Sequence, residues 1–397
     1  MNPRNTAAAA AAAIATLLTA GTLTAGPMTP PAGPVTATSK TLAEVEPRIA
    51  INATNTPGDA DSVFRITAPG SYYLTGNIQG AAAKSGIEIT TNGVSIDLNG
   101  FAVLGVFTSL DAIVVVGSRN DIAVSNGSVR GWSGHGLNLS SANGSRVSDV
   151  CASANGGDGI HTGATAVLTS CSANSNTGNG ITAGTGCTLT GCACGENGGY
   201  GLSASSGSTI TGCSSHDNAG SGIAAGTGST VTGSSAYQNG DNGISTSFCV
   251  TVTGCSAYYN TGRGINAGTA CTISRCSAVT NGEDGIAAGL SCAVLQNTCY
   301  INGWNLAGSA GIHIIGNDCR VEGNTCTNSD RGVWVQVPGC IVMKNSCSNN
   351  TTNWLIVAGN SVAPIVQSSS SSNGAQISGS TYAGSLGTTD PNANFSY

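Results

Sequence analysis

The apolar positions of the chain repeat with one period. From Ile160 an aliphatic residue preceded by glycine recurs at constant spacing, at Ile181, Leu202, Ile223, Ile244, Ile265 and Ile286. A second aliphatic column follows at a fixed offset: Leu168, Leu189, Ile210, Val231, Val252, Ile273 and Val294. Around it apolar and polar side chains alternate, as in Cys187-Thr188-Leu189-Thr190. That alternation is the period of a half-buried strand and not of a helix. A third inward pair follows (Cys171/Ala173, Cys192/Cys194, Cys213/Ser215, Cys255/Ala257, Cys276/Ala278), and then an asparagine at 176, 197, 218, 239, 260, 281 and 302. Three short strands separated by glycine-rich bends therefore make one rung.

A rung of this length cannot bury its apolar face alone, so rungs stack, with equivalent residues about 4.8 Å apart along the axis. Stacked asparagines can then bond to one another and to turn backbone that the bend would strand. The expectation is an all-β chain, a single-stranded parallel β-helix (solenoid) with 21-residue rungs. The repeat Asn-Thr-Gly-Xaa-Gly-Ile … Gly-Cys-Thr-Val-Thr-Gly-Cys-Ser-Ala and the stretch from Glu46 to Asp59 resemble secreted bacterial β-helix repeat proteins of the pectate-lyase-like superfamily. The resemblance covers roughly residues 40–397 and implies that the coil is right-handed and exported. That group has no assigned activity to carry over.

Taken in order, residues 1–25 hold one basic residue, Arg4, an alanine-rich apolar run and small residues at Thr24-Ala25-Gly26, the pattern of a signal peptide. Residues 26–40 form a Pro/Thr/Ala linker, and 41–80 an N-terminal cap with the first strands. Within that cap, Leu42, Val45 and Ile49 fall at helical spacing and predict a short helix over the first rung. The β-helix spans 81–366, with irregular rungs over 81–158, regular rungs over 159–289 and closing rungs over 290–366. Residues 367–397 are a Ser-rich segment and a tail that folds back as a cap. The irregular rungs, from Ile87 to Ile113, Ile113 to Leu137 and Leu137 to Ile160, are each longer than the regular ones. Their extra residues are expected to bulge as loops.

Composition narrows the function. Charged residues are only 8% of the chain, and loss of Arg4 with the leader would move the net charge from −6 to −7. A weakly acidic, charge-poor surface argues against nucleic acid and anionic membranes as partners. No span remains after leader removal, and the protein is expected as a secreted or cell-surface monomer. Most of the 16 cysteines fall in inward columns as small apolar filler. Cys255 with Cys276, or Cys319 with Cys340, lie close enough to bridge, although their side chains point in parallel.

The residues after the regular anchors are His161, Thr182, Ser203, Ala224, Ser245, Asn266, Ala287 and His313, with no carboxylate pair among them. That argues against a familiar lyase or hydrolase site on the regular face. The catalytic candidates are Asp111, His135 and Asp158, two positions before successive anchors, with His161 close by. A histidine between carboxylates suits a general base, and polar turn residues suit the same positions. Gly134-His135-Gly136 echoes a polygalacturonase motif without its companions. Glu196 and Asp217 share one offset and are the place where Ca2+ would bind, or a solvated turn. No other cofactor is expected.

Two binding surfaces follow from the columns. Tyr237, Tyr258 and Tyr300 share an outward offset with His216 and Val279, and sugar rings stack on exposed aromatic faces. Thr188/Thr190, Thr209/Thr211, Thr230/Thr232, Thr251/Thr253 and Thr272/Ser274 form a threonine face that resembles ice-binding β-helices. The leading expectation is a non-catalytic protein that binds polysaccharide or cell-surface glycan. A polysaccharide lyase or glycoside hydrolase is the alternative, and ice binding the third.

Overall fold

In the computed structural model, residues 47–367 and 389–397 are described. The expected signal peptide, linker and serine run lie outside them. Every regular element in the described range is a strand. A rung is three of them, such as Ile181–Ala183, Thr188–Thr190 and Ala193–Gly195. The anchor strands form a parallel 14-stranded sheet running in chain order from Ser62–Ile66 to Thr352–Ile356. Most of the remaining strands join in a 28-stranded sheet along the other faces.

Register follows the repeat. Ile160 pairs with Ile181, Ile181 with Leu202 and Leu202 with Ile223, so each anchor lies on the next. The anchors and the second aliphatic column are buried, and each side chain withdrawn from water contributes about 1.5–3 kcal/mol. The longer rungs keep this register too, since Ile87 pairs with Ile113 and Ile286 with Ile312. Their extra residues leave the coil as loops.

One expectation is corrected. Leu42 and Val45 lie outside the described residues, but Ile49 belongs to no helix: Ile49–Ala50 is a strand paired in parallel with Tyr72 and Tyr73. Pro47 disfavours the α conformation at the residue before it, and a strand extends the sheet where a helix would end it. At the other end Asn394–Ser396 lies parallel to both Ser346–Ser348 and Ile365–Gln367, closing that edge.

Three acceptor ladders hold the corners. In one, Asn239 Oδ1 accepts the backbone N–H of Asn218 at 3.2 Å and its side-chain N–H at 2.9 Å, and Asn239 relates to Asn260 in the same way. In the second, Cys213 N–H reaches Ser234 Oγ at 3.2 Å and Cys276 N–H reaches Asn297 Oδ1 at 2.8 Å. In the third, Ala166 N–H reaches Cys187 Sγ at 3.3 Å, Cys187 N–H reaches Ser208 Oγ at 3.2 Å, and Cys271 N–H reaches Cys292 Sγ at 3.4 Å. Many of the cysteines are therefore hydrogen-bonding groups as well as filler. Where the third column carries Val250, Ser229 N–H turns back to Gly226 O at 3.3 Å.

All 16 cysteines are free thiols, Cys255, Cys276, Cys319 and Cys340 included. Parallel stacking sets neighbouring Cβ atoms about 4.8 Å apart, beyond the roughly 3.8 Å a disulfide prefers. Burial pushes the Cys187 and Cys194 thiols up, which keeps them protonated.

Asn239→Ala orphans the buried backbone N–H of Asn218, whose side chain keeps Ser215 Oγ and Cys194 O, and is expected to lower stability by about 1–3 kcal/mol in urea unfolding. Cys271→Ser, which supplies the acceptor already used at Ser208 and Ser229, is expected to cost under about 1 kcal/mol.

Candidate functional site

Asp111, His135 and Asp158 follow one another on successive rungs and share one local geometry. Asp111 Oδ1 accepts the backbone N–H of His135 at 2.6 Å, while Oδ2 accepts from Asn138 Nδ2 at 2.8 Å. Asp158 repeats this further along the coil: Oδ1 takes Asn179 N–H at 2.8 Å and Oδ2 takes Thr182 Oγ1 at 2.8 Å. Asp284 does so again, with Ala310 N–H at 2.8 Å and His313 Nδ1 at 2.9 Å. Each carboxylate clamps the next rung at the backbone and at the outward side chain. His135 occupies the same position and accepts Asp158 N–H on Nδ1 at 2.9 Å. The flanking glycine has a packing cause, because a Cβ on Gly134 would collide with Asp111 Oδ1.

His135, Asp158 and His161 bring ligand-type atoms within 4.8 Å of one another. With its Nδ1 lone pair on an amide, His135 carries its ring proton on Nε2, so neither nitrogen presents a lone pair to a cation. His161 Nδ1 lies 3.7 Å from Asp158 Oδ2, and burial pulls its pKa below 6.5 despite that carboxylate. Glu196 and Asp217 turn to different partners, Ser175 Oγ at 3.0 Å and His216 Nδ1 at 3.0 Å.

The tyrosine column lies in register, with Val279 between Tyr258 and Tyr300. His216 pairs with Tyr237, Tyr237 with Tyr258, Tyr258 with Val279 and Val279 with Tyr300. His216 stacks on Tyr237 with centroids 5.0 Å apart. Tyr259 stands edge-on to Tyr258 at 4.4 Å, and Tyr258 and Tyr300 are 43% and 41% exposed. The longer rung after Ile286 adds Trp304, 54% exposed, whose Nε1 donates to Thr280 O at 3.0 Å. Tyr259, Thr280 and Ile301 hold φ of 55°, 52° and 51°, a left-handed conformation that strains the β-branched Thr280 and Ile301 most. The threonine columns also lie in register, Thr188 on Thr209 on Thr230 and Thr190 on Thr211 on Thr232.

The family model described as "Right handed beta helix region" matches residues 163–298. The chain is a right-handed parallel β-helix. Among solved structures, the A-module of the Azotobacter vinelandii mannuronan C-5 epimerase AlgE4 superposes with a TM-score of 0.53 at 13% identity, covering 74% of this chain and 91% of that one. A mutant tailspike protein of E. coli bacteriophage HK620, in complex with a pentasaccharide, superposes with a TM-score of 0.50 at 12% identity, covering 82% of this chain and 72% of that one. No curated protein matches the sequence. Among the described residues of the β-helix, no helix is long and apolar enough to cross a membrane.

Sequence reasoning missed Tyr259 and Trp304. Tyr259 follows the column by one residue, and only its left-handed backbone turns it toward Tyr258. The longer rung after Ile286 was the available signal for Trp304. Glu88 was missed as well. It is buried beside Arg65 at 3.3 Å, burial raises its carboxyl, and it lines a groove with Asp59, Asp111 and Ser133.

His135→Asn keeps an acceptor for Asp158 N–H, as Asn179 does for Tyr200, and is expected to fold with unchanged stability. His135→Leu orphans that N–H and should lose about 1–3 kcal/mol by urea unfolding. His161 binds its proton less readily folded than unfolded, so the unfolded chain takes up more protons as pH falls through 6.5. The thermal midpoint should therefore drop on acidification through this window, and His161→Gln should flatten that slope.

Proposed function

We propose that this β-helix is an exported, non-catalytic glycan-binding protein whose contact surface is Tyr237, Tyr258, Tyr259, Tyr300 and Trp304. The observation that carries the reading is the row of aromatic side chains, stepped once by Val279, of which Tyr258, Tyr259, Tyr300 and Trp304 are exposed; the strands beneath the row are paired. Apolar ring faces with polar rims suit pyranose rings, and rigid aromatics lose little entropy on contact. The alternative use of the same fold, hydrolysis or elimination, would draw on Asp111, His135 and Asp158. Those side chains are engaged in holding rungs together, which favours binding over catalysis. The leader-like residues 1–25 support export. The two fold neighbours, by name a mannuronan epimerase and a tailspike holding a pentasaccharide, support a glycan as partner.

Native electrophoresis of the mature protein through gels containing acidic or neutral polysaccharide tests this. Retarded migration is expected, without a cleared zone when the polymer is stained. Tyr258→Ala and Trp304→Ala are each expected to weaken retention roughly fivefold, for about 1 kcal/mol per ring. A cleared zone would overturn the non-catalytic reading and move the function to the groove of Glu88 and Asp111.

A further inference from the structure

Next to the aromatic platform, the outward face of the anchor sheet changes character. Over the regular rungs it shows Thr182, Ser203, Ala224, Ser245 and Asn266. From Arg263 onward it gathers charge. Asp284 Oδ2 holds His313 Nδ1 at 2.9 Å and lies 3.3 Å from Arg263 Nε, and Glu283 lies 3.5 Å from the same atom. His313 lies flat on Trp334, with centroids 3.7 Å apart and planes 7° from parallel. The Arg331 guanidinium also lies over that indole, 4.0 Å from its centroid.

The carboxylates here are all taken. Asp284 and Glu283 serve Arg263 and His313, and Asp330 accepts the Gly308 N–H at 2.5 Å. Among the described residues no carboxylate lies within ion-pair reach of Arg331, and no hydrogen bond takes up its side-chain N–H groups. A guanidinium held on an aromatic face keeps its planar fork pre-set for a bidentate anion. The loop that brings Trp304 to the platform also places Gly308 against Arg331, where a Cβ would lie 3.2 Å from its Nη2. Four residues span at most about 14 Å, so one polymer lying on Trp304 reaches Arg331 within a few sugar units.

We infer that Arg331, presented on Trp334, is a subsite for an anionic substituent, a carboxylate or a sulfate ester, on the glycan that the platform binds. The inference rests on the platform reading and adds the class of polymer to it. It is local: the protein as a whole is acidic, so the preference comes from one fork and not from net charge. Arg331→Lys keeps the charge but loses the fork and the flat stack. It should therefore fall between the native protein and Arg331→Ala.

The test is retardation of the native protein, Arg331→Ala and Arg331→Lys in gels holding a polyuronate, a sulfated galactan or a neutral glucan, at low and high salt. An anionic polymer should retard the native protein most. Arg331→Ala should weaken that roughly tenfold, to the level of the neutral polymer, and abolish the salt sensitivity. Preserved retardation on the neutral polymer shows that the variant is folded. Response to the polyuronate alone assigns a carboxylate, and to the galactan alone a sulfate; either supports the subsite. Equal retardation of Arg331→Ala and the native protein on anionic polymers overturns it. So does a native protein retarded by the neutral glucan alone, with the platform reading left standing. Retardation by no polymer brings down both.

Discussion

A coil built from three-residue strands turns a corner every few residues, and at each corner a backbone N–H points where no strand can receive it. Burying such a group without a partner costs about 1–3 kcal/mol, and the penalty would recur at every rung. The chain meets this with an acceptor from the rung above. Asn, Ser and Cys serve interchangeably, as Cys187, Ser208 and Asn360 show along one column. Stacking supplies the apolar burial, but the ladders decide which residue must face which.

The same requirement explains residues that look chemical. Asp111, His135, Asp158 and Asp284 occur two places before an anchor because that position faces an N–H of the next rung. On the aspartates, the second oxygen is then free to orient an outward side chain. Where that side chain is Thr182 the result is a quiet surface; where it is His313 it begins a stacked cluster. One backbone device thus sets both stability and the placement of surface chemistry.

The repeat was legible because burial and pairing obey a single period, and the anchors, the asparagine column and the tyrosine column fall where spacing puts them. The direction of a side chain at a corner was not. Spacing brought Asp111, His135 and Asp158 together without showing that their lone pairs are spent on amides. Trp304 lay in an inserted loop beyond the period. Arg331, two places before the anchor Val333 and in register with Ala310, differs in charge from the acidic residues at that offset and was not singled out by spacing. Trp304 and Arg331 become neighbours only through the longer rung after Ile286, whose loop path depends on contacts such as Trp304 Nε1 with Thr280 O. The helical placement of Ile49 failed for the opposite reason: local periodicity yielded to an available sheet edge.

Near-identical rungs carry a cost in folding. A rung that skips its neighbour and pairs with the next but one still finds isoleucine on isoleucine and asparagine on asparagine, with one whole rung looped out. Such slipped states lie close in energy to the native one, and parallel pairing forms slowly enough for them to trap the chain. The unequal rungs break this degeneracy. Trp132, buried among the irregular turns with its Nε1 on Val103 O at 3.0 Å, fits one register alone. The irregular ends count the turns, and the uniform middle needs only to follow.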